Sequence, residues 1–247
     1  MLQQTQAPRV VEPYTRWIER FPDPAACAHA GPAAALRAWS GLGYNGRALR
    51  LHQAAVVITD VHGGQVPSQR VLLQELPGVG PYTARAVMAF AFGEAVGVVD
   101  TNVARVLGRS VAGRRLAPAE CQSLADRLVA AEEPWAYNQT LFDIGVMHCR
   151  SGTPRCEGCP LGPRCVWASA GWTEPDPGAP THRQSRFAGS DRQGRGRLVE
   201  AIRQGAVAST ELAAVCGWAD DQRARRVAEG LVRDGLAGWN EGSLELP

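Results

Sequence analysis

The order of apolar and polar residues predicts a chain built mostly from helices. From 13 to 21 the side chains Tyr14, Trp17, Ile18 and Phe21 recur every three or four positions, which is the period of a helix with one buried face. No stretch of the first 170 residues shows the alternation typical of a half-buried strand. Further helices are predicted at 33–39, 48–62, 83–92, 117–130 and 135–149, with two more ending at 75 and 109.

The C-terminal part of the chain has a pattern of its own. Three short helices and a hairpin are predicted there, at 198–203, 209–216, 220–234 and 236–246. Ser209 is the expected N-cap of the second helix, and Asn240, Glu241 and Gly242 supply the turn of the hairpin. This order is typical of a small winged helix. A stretch rich in proline, glycine, serine and threonine at 171–189 indicates a linker before it.

Composition narrows the class of protein. The 247 residues can form one large or two modest domains. All 26 cationic side chains are arginine, so no lysine is available as a Schiff-base nucleophile, whereas arginine suits phosphate contacts. The formal net charge of +2 does not by itself indicate a nucleic-acid partner. No apolar run approaches the length that spans a bilayer and no signal peptide is recognisable, so we expect a cytoplasmic protein without a membrane partner.

A glycine-containing turn stands between two predicted helices. Its residues are Leu76, Pro77, Gly78, Val79 and Gly80. Two glycines this close allow positive φ and expose backbone N–H groups at the start of the next helix, where the macrodipole favours an anion. The turn is therefore either the hairpin of a helix-hairpin-helix motif that grips a nucleic-acid backbone through Gly78, Val79 and Gly80, or an ordinary connection between helices.

Four cysteines stand close together in the sequence. Cys149, Cys156, Cys159 and Cys165 have the spacing C-x6-C-x2-C-x5-C. In a cytoplasmic protein such a group indicates a metal centre rather than disulfides. Tetrahedral zinc and an iron–sulfur cluster are both open, but structural zinc usually uses two C-x2-C pairs, and only one is present here. The spacing favours a [4Fe–4S] cluster with a structural role.

In combination these motifs resemble the helix-hairpin-helix DNA glycosylases of the endonuclease III superfamily. The resemblance rests on the turn at 76–80, on Asp100 eighteen residues after Tyr82, and on the cysteine spacing. Three further stretches are similar to the adenine-specific branch of that superfamily, namely 1–6, 41–44 and 99–103.

The resemblance implies an architecture and an activity. The fold would be all-α, with a six-helix barrel at 1–110, a cluster domain with a [4Fe–4S] loop at 111–168, a linker at 169–189 and a winged-helix-like region at 190–247. The activity would be monofunctional hydrolysis of the N-glycosidic bond of adenine mispaired with 8-oxoguanine or guanine, in base excision repair. The expected partner is double-stranded DNA that contains such an adenine. The protein is expected to act as a monomer in the bacterial cytosol or nucleoid.

Three residues match the catalytic site of that family. Asp100 corresponds to the aspartate that stabilises the cationic sugar, and Asn102 to a neighbouring active-site asparagine. Tyr82 falls where the lyase branch has its nucleophilic lysine and where adenine glycosylases can carry tyrosine. These residue types suit the chemistry, because breaking the bond between sugar and base builds positive charge on the deoxyribose, which a carboxylate stabilises. Asp100 also precedes a predicted helix and is a candidate N-cap.

The resemblance also implies residues that contact the DNA. Leu2, Gln4 and Tyr44 match residues inserted into the duplex, Leu2 as a wedge and the other two beside 8-oxoguanine. Gln3 and Thr5 belong to the same N-terminal motif. Extruding a base costs a few kcal/mol and leaves a gap in the stack. An aromatic ring on a glycine turn and a Leu–Gln wedge suit the filling of that gap.

Two features depart from the family pattern. The adenine-specific branch uses a glutamate to protonate the leaving base, two residues before the methionine that is Met1 here. We expect the natural start to lie upstream and to restore that glutamate, which the in-frame DNA before Met1 would decide. The family's β-rich domain that reads 8-oxoguanine is not recognisable at 187–247, which bears on the choice of opposite base more than on adenine removal.

Two other functions stay open at this point. A non-catalytic protein that binds DNA or its lesions would fit the missing glutamate. An endonuclease III-like lyase that acts on oxidised pyrimidines would fit the fold, but the absence of lysine argues against it. A duplex with adenine opposite 8-oxoguanine separates these functions from adenine hydrolysis.

Overall fold

The computed structural model describes residues 1–3, 5–180 and 186–247. Its α-helices are α1 (Val11–Arg20), α2 (Pro24–Ala38), α3 (Gly46–His62), α4 (Arg70–Glu75), α5 (Pro81–Ala91), α6 (Thr101–Leu107), α7 (Pro118–Leu128), α8 (Pro134–Met147), α9 (Val166–Ser169), α10 (Asp191–Gln204), α11 (Leu212–Cys216) and α12 (Asp221–Arg233). The strands are β1 (Val207–Ala208), β2 (Gly238–Asn240) and β3 (Ser243–Glu245). The predicted all-α class is confirmed, because the described strands are short and belong to the C-terminal region. None of the described helices is long and apolar enough to cross a lipid bilayer.

The described chain separates into two compact units. Unit 1 contains residues of 1–67, 76–78 and 186–247, and unit 2 contains 68–75 and 79–180. Unit 1 therefore joins the N-terminal helices to the C-terminal region, although these lie at opposite ends of the sequence. The four domain ranges expected from the resemblance stay predictions.

Helix α1 buries a face that differs in part from the predicted one. Trp17 and Phe21 are buried and meet edge to face, with ring centroids 4.8 Å apart. Tyr14 and Ile18, in contrast, are 54% and 44% exposed, and the buried side continues to Val10 instead. Apolar residues spaced three or four positions apart are compatible with burial of either of two neighbouring faces of a helix. The helices packed against α1 decide which face is buried.

Helix α2 is longer than the predicted helix at 33–39. It begins at Pro24, behind the N-cap Asp23, whose carboxylate accepts a hydrogen bond from the Ala26 N–H at 2.7 Å. Gly31 interrupts the helix with a φ of +78°, and Pro32 follows it. Because glycine and proline usually end or kink a helix, this pair hid the first half of α2 from a periodicity argument.

The C-terminal region has the winged-helix order that the sequence predicts. Strands β1 and β2 both pair antiparallel with β3, and Leu244 of β3 is fully buried. Glu241 and Gly242 form the hairpin turn with positive φ at both residues, as a two-residue hairpin turn requires. The predicted hairpin is therefore present.

The predicted cap of the second tail helix is wrong. Helix α11 begins at Leu212, and Glu211 rather than Ser209 occupies its N-cap position. The backbone N–H of Ser209 donates to the Gly242 carbonyl at 3.0 Å, so this residue belongs to the edge of the small sheet. The pairing of β1 with β3 draws Ser209 away from the helix.

One apolar core holds the two ends of unit 1 together. Leu198, Val199 and Ile202 of α10 belong to the same buried cluster as Leu36 of α2 and Trp39, the residue that follows α2. A region of about 60 residues buries little apolar surface by itself, so sharing a core with other helices stabilises it. The winged helix is in this way part of the unit that contains the N-terminal helices.

Unit 2 is organised around helices α6 and α8. Val103 and Val106 of α6 belong to one buried cluster with Leu141 and Ile144 of α8. Helix α6 continues directly into a single π-helical turn, Gly108–Ala112. Such turns are rare and often occur next to functional residues.

We predict that Leu198→Ala destabilises the whole of unit 1 by about 2–5 kcal/mol, because it leaves a cavity in the shared core. Denaturant unfolding gives the loss in free energy, and hydrogen exchange of the α3 and α12 amides shows whether both ends of the sequence lose protection. Leu51→Ala is the matched control: Leu51 is 38% exposed, and its truncation should cost less than about 1 kcal/mol. Loss of protection in α12 alone would contradict a common core.

Candidate functional site

The glycine turn presents backbone at the start of a helix. Gly78 has a φ of +80°, and a Cβ added there would lie 2.8 Å from the Cβ of Arg50, so glycine is required on both counts. Gly80 is the extended N-cap residue of α5, and Pro81 takes the first helical position. Gly78 and Gly80 are exposed and Val79 is half-buried. The first N–H groups of a helix lack intrahelical acceptors, so this geometry suits an anion.

The carboxylate of Asp100 caps helix α6. Its Oδ1 accepts hydrogen bonds from the backbone N–H groups of Asn102, at 2.8 Å, and Val103, at 2.7 Å. Its Oδ2 accepts from Nδ2 of Asn102 at 2.8 Å. Asp100 is therefore the N-cap that the sequence suggested, and its partly exposed carboxylate keeps acceptor capacity beyond these three bonds.

An asparagine of α8 holds the extended segment that leads to Asp100. Asn138 is 1% exposed, and its Oδ1 accepts a hydrogen bond from the Val98 N–H at 2.8 Å. Its Nδ2 donates to the carbonyls of Val96, at 3.0 Å, and Pro134, at 2.8 Å. All three bonds are made by one buried amide, so the path of the backbone before Asp100 is set from α8.

An aspartate of α7 holds the same segment from another side. Oδ1 of Asp126 accepts from the Gly97 N–H at 2.9 Å, and both carboxylate oxygens accept from the Arg85 guanidinium of α5, at 2.6 and 3.0 Å. A Cβ on Gly97 would lie 2.7 Å from the backbone of Ala125, so the segment runs directly against α7. Helices α5, α7 and α8 together fix the approach to Asp100.

Tyr82, near the start of α5, lies within electrostatic reach of Asp100. Partial burial raises the pKa of the Tyr82 phenol above its usual value, and the negative charge of Asp100 raises it further. The phenol is therefore neutral near pH 7 and can donate a hydrogen bond. All three predicted catalytic residues, Asp100, Asn102 and Tyr82, lie in unit 2.

Arg105 connects Asn102 to the cysteine loop. Its Nη2 donates to Oδ1 of Asn102 at 2.8 Å and to the Gly145 carbonyl at 2.9 Å, and its Nε donates to the Cys149 carbonyl at 2.6 Å. Asn102 also packs against Gly145, since a Cβ added to Gly145 would lie 2.8 Å from the Cβ of Asn102. A continuous series of hydrogen bonds thus runs from the Asp100 carboxylate to the backbone of the first cysteine.

The four clustered cysteines line one cavity. Cys149, Cys156, Cys159 and Cys165 surround a cavity of about 30 Å³. His148 also lines it, and its buried Nδ1 has no hydrogen-bond partner among the described residues. Within the part of the chain that the structure describes, no three His, Cys, Asp or Glu side chains are grouped so that they could hold a single metal ion.

Arg109, in the π-helical turn, supports this cavity. It is 1% exposed, and Nη1 lies 3.6 Å from the Cys149 sulfur. Its Nε and Nη2 donate to the two carboxylate oxygens of Asp176, at 2.8 and 2.5 Å, and its guanidinium stacks 4.8 Å from the ring of Trp167. Burial raises the pKa of the Cys149 thiol, and the Arg109 charge partly opposes that shift. Asp176 lies in the predicted linker, so this part of the segment is bonded into unit 2.

In unit 1, Arg47 ties the N-terminal motif to the glycine turn at 41–44. Nη1 donates to the carbonyls of Met1, at 2.9 Å, and Gln3, at 2.5 Å, and Nη2 donates to Oγ1 of Thr5 at 2.9 Å. Nη2 also lies 3.3 Å from the Gly43 carbonyl, and the guanidinium stands 5.7 Å from the Tyr44 ring. The segment and the turn are thereby held as one body.

The Tyr44 ring and the Leu2 side chain, which belong to this turn and this segment, are open to solvent. Tyr44 is 52% exposed and Leu2 is 64% exposed. Their backbone carbonyls accept hydrogen bonds from the N–H groups of Arg47, at 2.9 Å, and Thr5, at 3.3 Å. Tyr44 also has a φ of +46°, which is uncommon for a residue with a side chain. Gln4, the other predicted insertion residue, lies outside the described residues.

Sequence reasoning missed the residues that position the predicted ones. These are Arg47, Arg85, Arg105, Arg109, Asp126 and Asn138. Asn138 left a signal, since it is a polar residue near the start of a helix rich in apolar side chains. The arginines left none, because arginine is spread through the chain and its burial depends on acceptors that are distant in sequence.

Comparisons with known proteins agree on one family. Residues 1–129 match the family model of the HhH-GPD superfamily base excision DNA repair protein. The adenine DNA glycosylase of Mycolicibacterium smegmatis is 43% identical over 241 residues, which are 96% of this chain and 80% of that protein. A thermostable thymine-DNA glycosylase superposes with a TM-score of 0.65 at 29% identity, covering 68% of this chain and 80% of its own. A trapped endonuclease III–DNA covalent intermediate does so with a TM-score of 0.61 at 26% identity, covering 69% and 81%.

We predict that Asp100→Asn lowers the pKa of Tyr82 towards the ordinary value of about 10, because it removes the neighbouring negative charge. Asparagine is as good an N-cap as aspartate, so α6 should be retained. Ultraviolet titration of tyrosinate measures the change, and Tyr82→Phe identifies which transition belongs to this residue. Glu132→Gln, at an exposed carboxylate, is the control and should leave the titration as it is. An unaltered Tyr82 transition in Asp100→Asn would show that the two side chains do not interact.

Proposed function

Because the chain belongs to the HhH-GPD superfamily of base excision DNA repair proteins, we propose that it is a DNA glycosylase that hydrolyses the N-glycosidic bond of mispaired adenine. The substrate is double-stranded DNA in which adenine stands opposite 8-oxoguanine or guanine. The protein acts on it as a monomer, in the cytoplasm. The adenine preference is supported by the names of its relatives, and the chemistry by the geometry around Asp100.

The observation that carries this proposal is the presentation of the Asp100 carboxylate. Three donors hold it in one orientation, and the neutral phenol of Tyr82 lies within its electrostatic reach. Cleavage of the glycosidic bond builds positive charge on the deoxyribose. A carboxylate that is already oriented, in surroundings poorer in water than bulk solvent, stabilises that charge without reorganising. Asp100 takes this role, and Asn102 fixes its second oxygen.

Two exposed features of the chain bind the DNA. The turn at 78–80 offers backbone N–H groups at the start of α5 to a phosphate, which gives affinity without regard to sequence. The Tyr44 ring and the Leu2 side chain enter the stack and fill the gap left by the extruded adenine. Their exposure supports that role, and Arg47 supports the turn and segment that carry them.

The cysteine cavity holds a [4Fe–4S] cluster. Cys149, Cys156, Cys159 and Cys165 are its ligands, and the donor set of four thiolates is the usual one for such a group. The lining of one cavity by all four cysteines supports their binding a single group together. When bound, the cluster cross-links the loop at 149–165. The backbone of that loop accepts from Arg105, which in turn donates to Asn102.

We expect the protein to release adenine from a duplex with adenine opposite 8-oxoguanine, leaving an abasic site that is cleaved only after added alkali. Asp100→Asn should slow this release by at least about 100-fold, because it removes the charge and keeps the cap. Single-turnover kinetics measures release, and gel-shift titration of the same duplex measures binding, which should be nearly unchanged. Asp60→Asn, at an exposed residue of α3, is the control for loss of a carboxylate.

Other outcomes of this assay favour other functions. Binding of the duplex without any release of adenine would support a non-catalytic lesion-binding protein. Strand cleavage at oxidised pyrimidines without alkali would support a lyase. A loss of binding by Asp100→Asn that equals its loss of release would contradict the role given to this carboxylate.

We predict that Cys156→Ala and Cys159→Ala each lower iron and acid-labile sulfide from about four per chain to a small fraction of that value. Elemental analysis and the visible absorbance of the purified protein measure the loss. Cys27→Ala is the control, because Cys27 is buried in unit 1, whereas the four clustered cysteines belong to unit 2 and are distant from it in sequence. One equivalent of zinc without sulfide in the wild-type protein would overturn the assignment of the cluster.

A further inference from the structure

Arg203, near the end of α10 in the winged-helix region, bonds to both sides of the Tyr44 turn, which is defined here as residues 40–45. Its Nε donates to the Leu36 carbonyl in the last turn of α2 at 2.9 Å. Its Nη2 donates to Oδ1 of Asn45 at 2.8 Å. The turn runs between these two acceptors, so one guanidinium spans it. All these residues belong to unit 1.

The surroundings of Arg203 make this bridge a fixed one. Its side chain is only 6% exposed, and Nη1 is paired with Oε2 of Glu200 at 2.6 Å. The planar guanidinium therefore has an acceptor on each of its three nitrogens, in directions that a lysine could not serve together. The positive charge also lies at the C-terminal end of α2, where the helix dipole favours it.

A second contact from α10 reaches the other end of the same turn. Oγ of Ser40 donates to the Glu200 carboxylate, with distances of 3.4 and 3.3 Å to its two oxygens. The apolar residues of α10 share the core with Leu36 and Trp39, and Nε1 of Trp39 donates to the Gly43 carbonyl at 3.0 Å. The turn is thus held from the C-terminal region at its first residue, at its last residue and through the core beneath it.

The turn needs such support because its own conformation is unfavourable. Gly41, Gly43 and Tyr44 all have positive φ, and Tyr44 does so with an exposed ring. Asn45 is the N-cap residue of α3 but makes no capping hydrogen bond with its side chain, which Arg203 engages instead. A ring that must enter a base stack is more effective when its backbone is already ordered.

We propose that Arg203 is a positioning residue for the DNA-inserting turn, and that the winged-helix region takes part in substrate recognition through it. The inference rests on the role given to Tyr44 under the proposed function. The region acts on the DNA by holding the turn in its inserting conformation, and Arg203 itself does not touch the substrate.

The test compares Arg203→Met with Arg197→Met in the full chain. Arg197 is also in α10, but it donates within the C-terminal region, to the Cys216 carbonyl at 2.6 Å, and so controls for the loss of an arginine side-chain hydrogen bond from this helix. Hydrogen exchange of the amides at 42–48 should become faster in Arg203→Met and stay as in wild type in Arg197→Met. Arg203→Lys should restore protection only in part. If Arg203→Met fails to fold, Asn45→Ala tests the same bond, because it removes one acceptor of Arg203 and leaves α10 intact. Hydrogen exchange of the same amides should then be faster than in wild type.

The functional arm is a double-mutant cycle with Tyr44→Ala. Arg203→Met should lower the single-turnover rate of adenine release roughly 10- to 100-fold, as expected when an inserted group is misplaced by about 1 Å. In the Tyr44→Ala background the same substitution should have almost no effect, since the group it positions is absent. A merely structural role would lower the rate equally in both backgrounds.

The outcomes separate this inference from the proposed function. Unchanged exchange at 42–48 in Arg203→Met, or equal rate losses with and without Tyr44, would overturn the positioning role. A wild-type protein that releases no adenine would overturn the proposed activity, and the exchange experiment would still decide whether Arg203 orders the turn.

Discussion

Unit 2 depends above all on the cap that Asp100 places on helix α6. The cap requires an extended backbone immediately before the helix, and that backbone is held by the buried amide of Asn138 and by the carboxylate of Asp126. The same carboxylate that ends the extended segment starts the helix, so its orientation is set by the fold rather than by solvent. A group held in this way can stabilise a developing positive charge without a cost of reorganisation. Structure and proposed chemistry therefore share one side chain.

Arginine side chains make hydrogen bonds between segments that are distant in sequence, in both units of this chain. Arg105 and Arg109 reach the backbone and a sulfur of the cysteine loop in unit 2, whereas Arg47 and Arg203 hold the Tyr44 turn in unit 1. Each guanidinium offers several donors in a fixed plane, so one side chain can satisfy carbonyls from segments that are distant in sequence. The chain has no lysine, and these arginines serve as its structural bridges.

The resemblance to the glycosylase family was correct, and the reason is that its motifs combine conformation with chemistry. Gly78 must have positive φ, and Asp100 must precede a helix, so both the local structure and the residue type follow from short stretches. The errors arose where local patterns were ambiguous. Gly31 and Pro32 concealed half of α2, Ser209 was drawn into a sheet edge, and Tyr14 was placed on the buried face of α1.

The sequence by itself determined the all-α class, the winged-helix order of the tail, the glycine turn and the N-cap of α6 at Asp100, because periodicity, turn residues and capping residues act over a few positions. Only the tertiary structure decided that α10 shares a core with Leu36 and Trp39, that Asn138 sets the path to Asp100, and that Asp176 of the predicted linker pairs with Arg109. The physical reason is the same in each case. A buried donor takes whichever acceptor the packing of distant helices brings to it, and no local pattern in the chain records that choice.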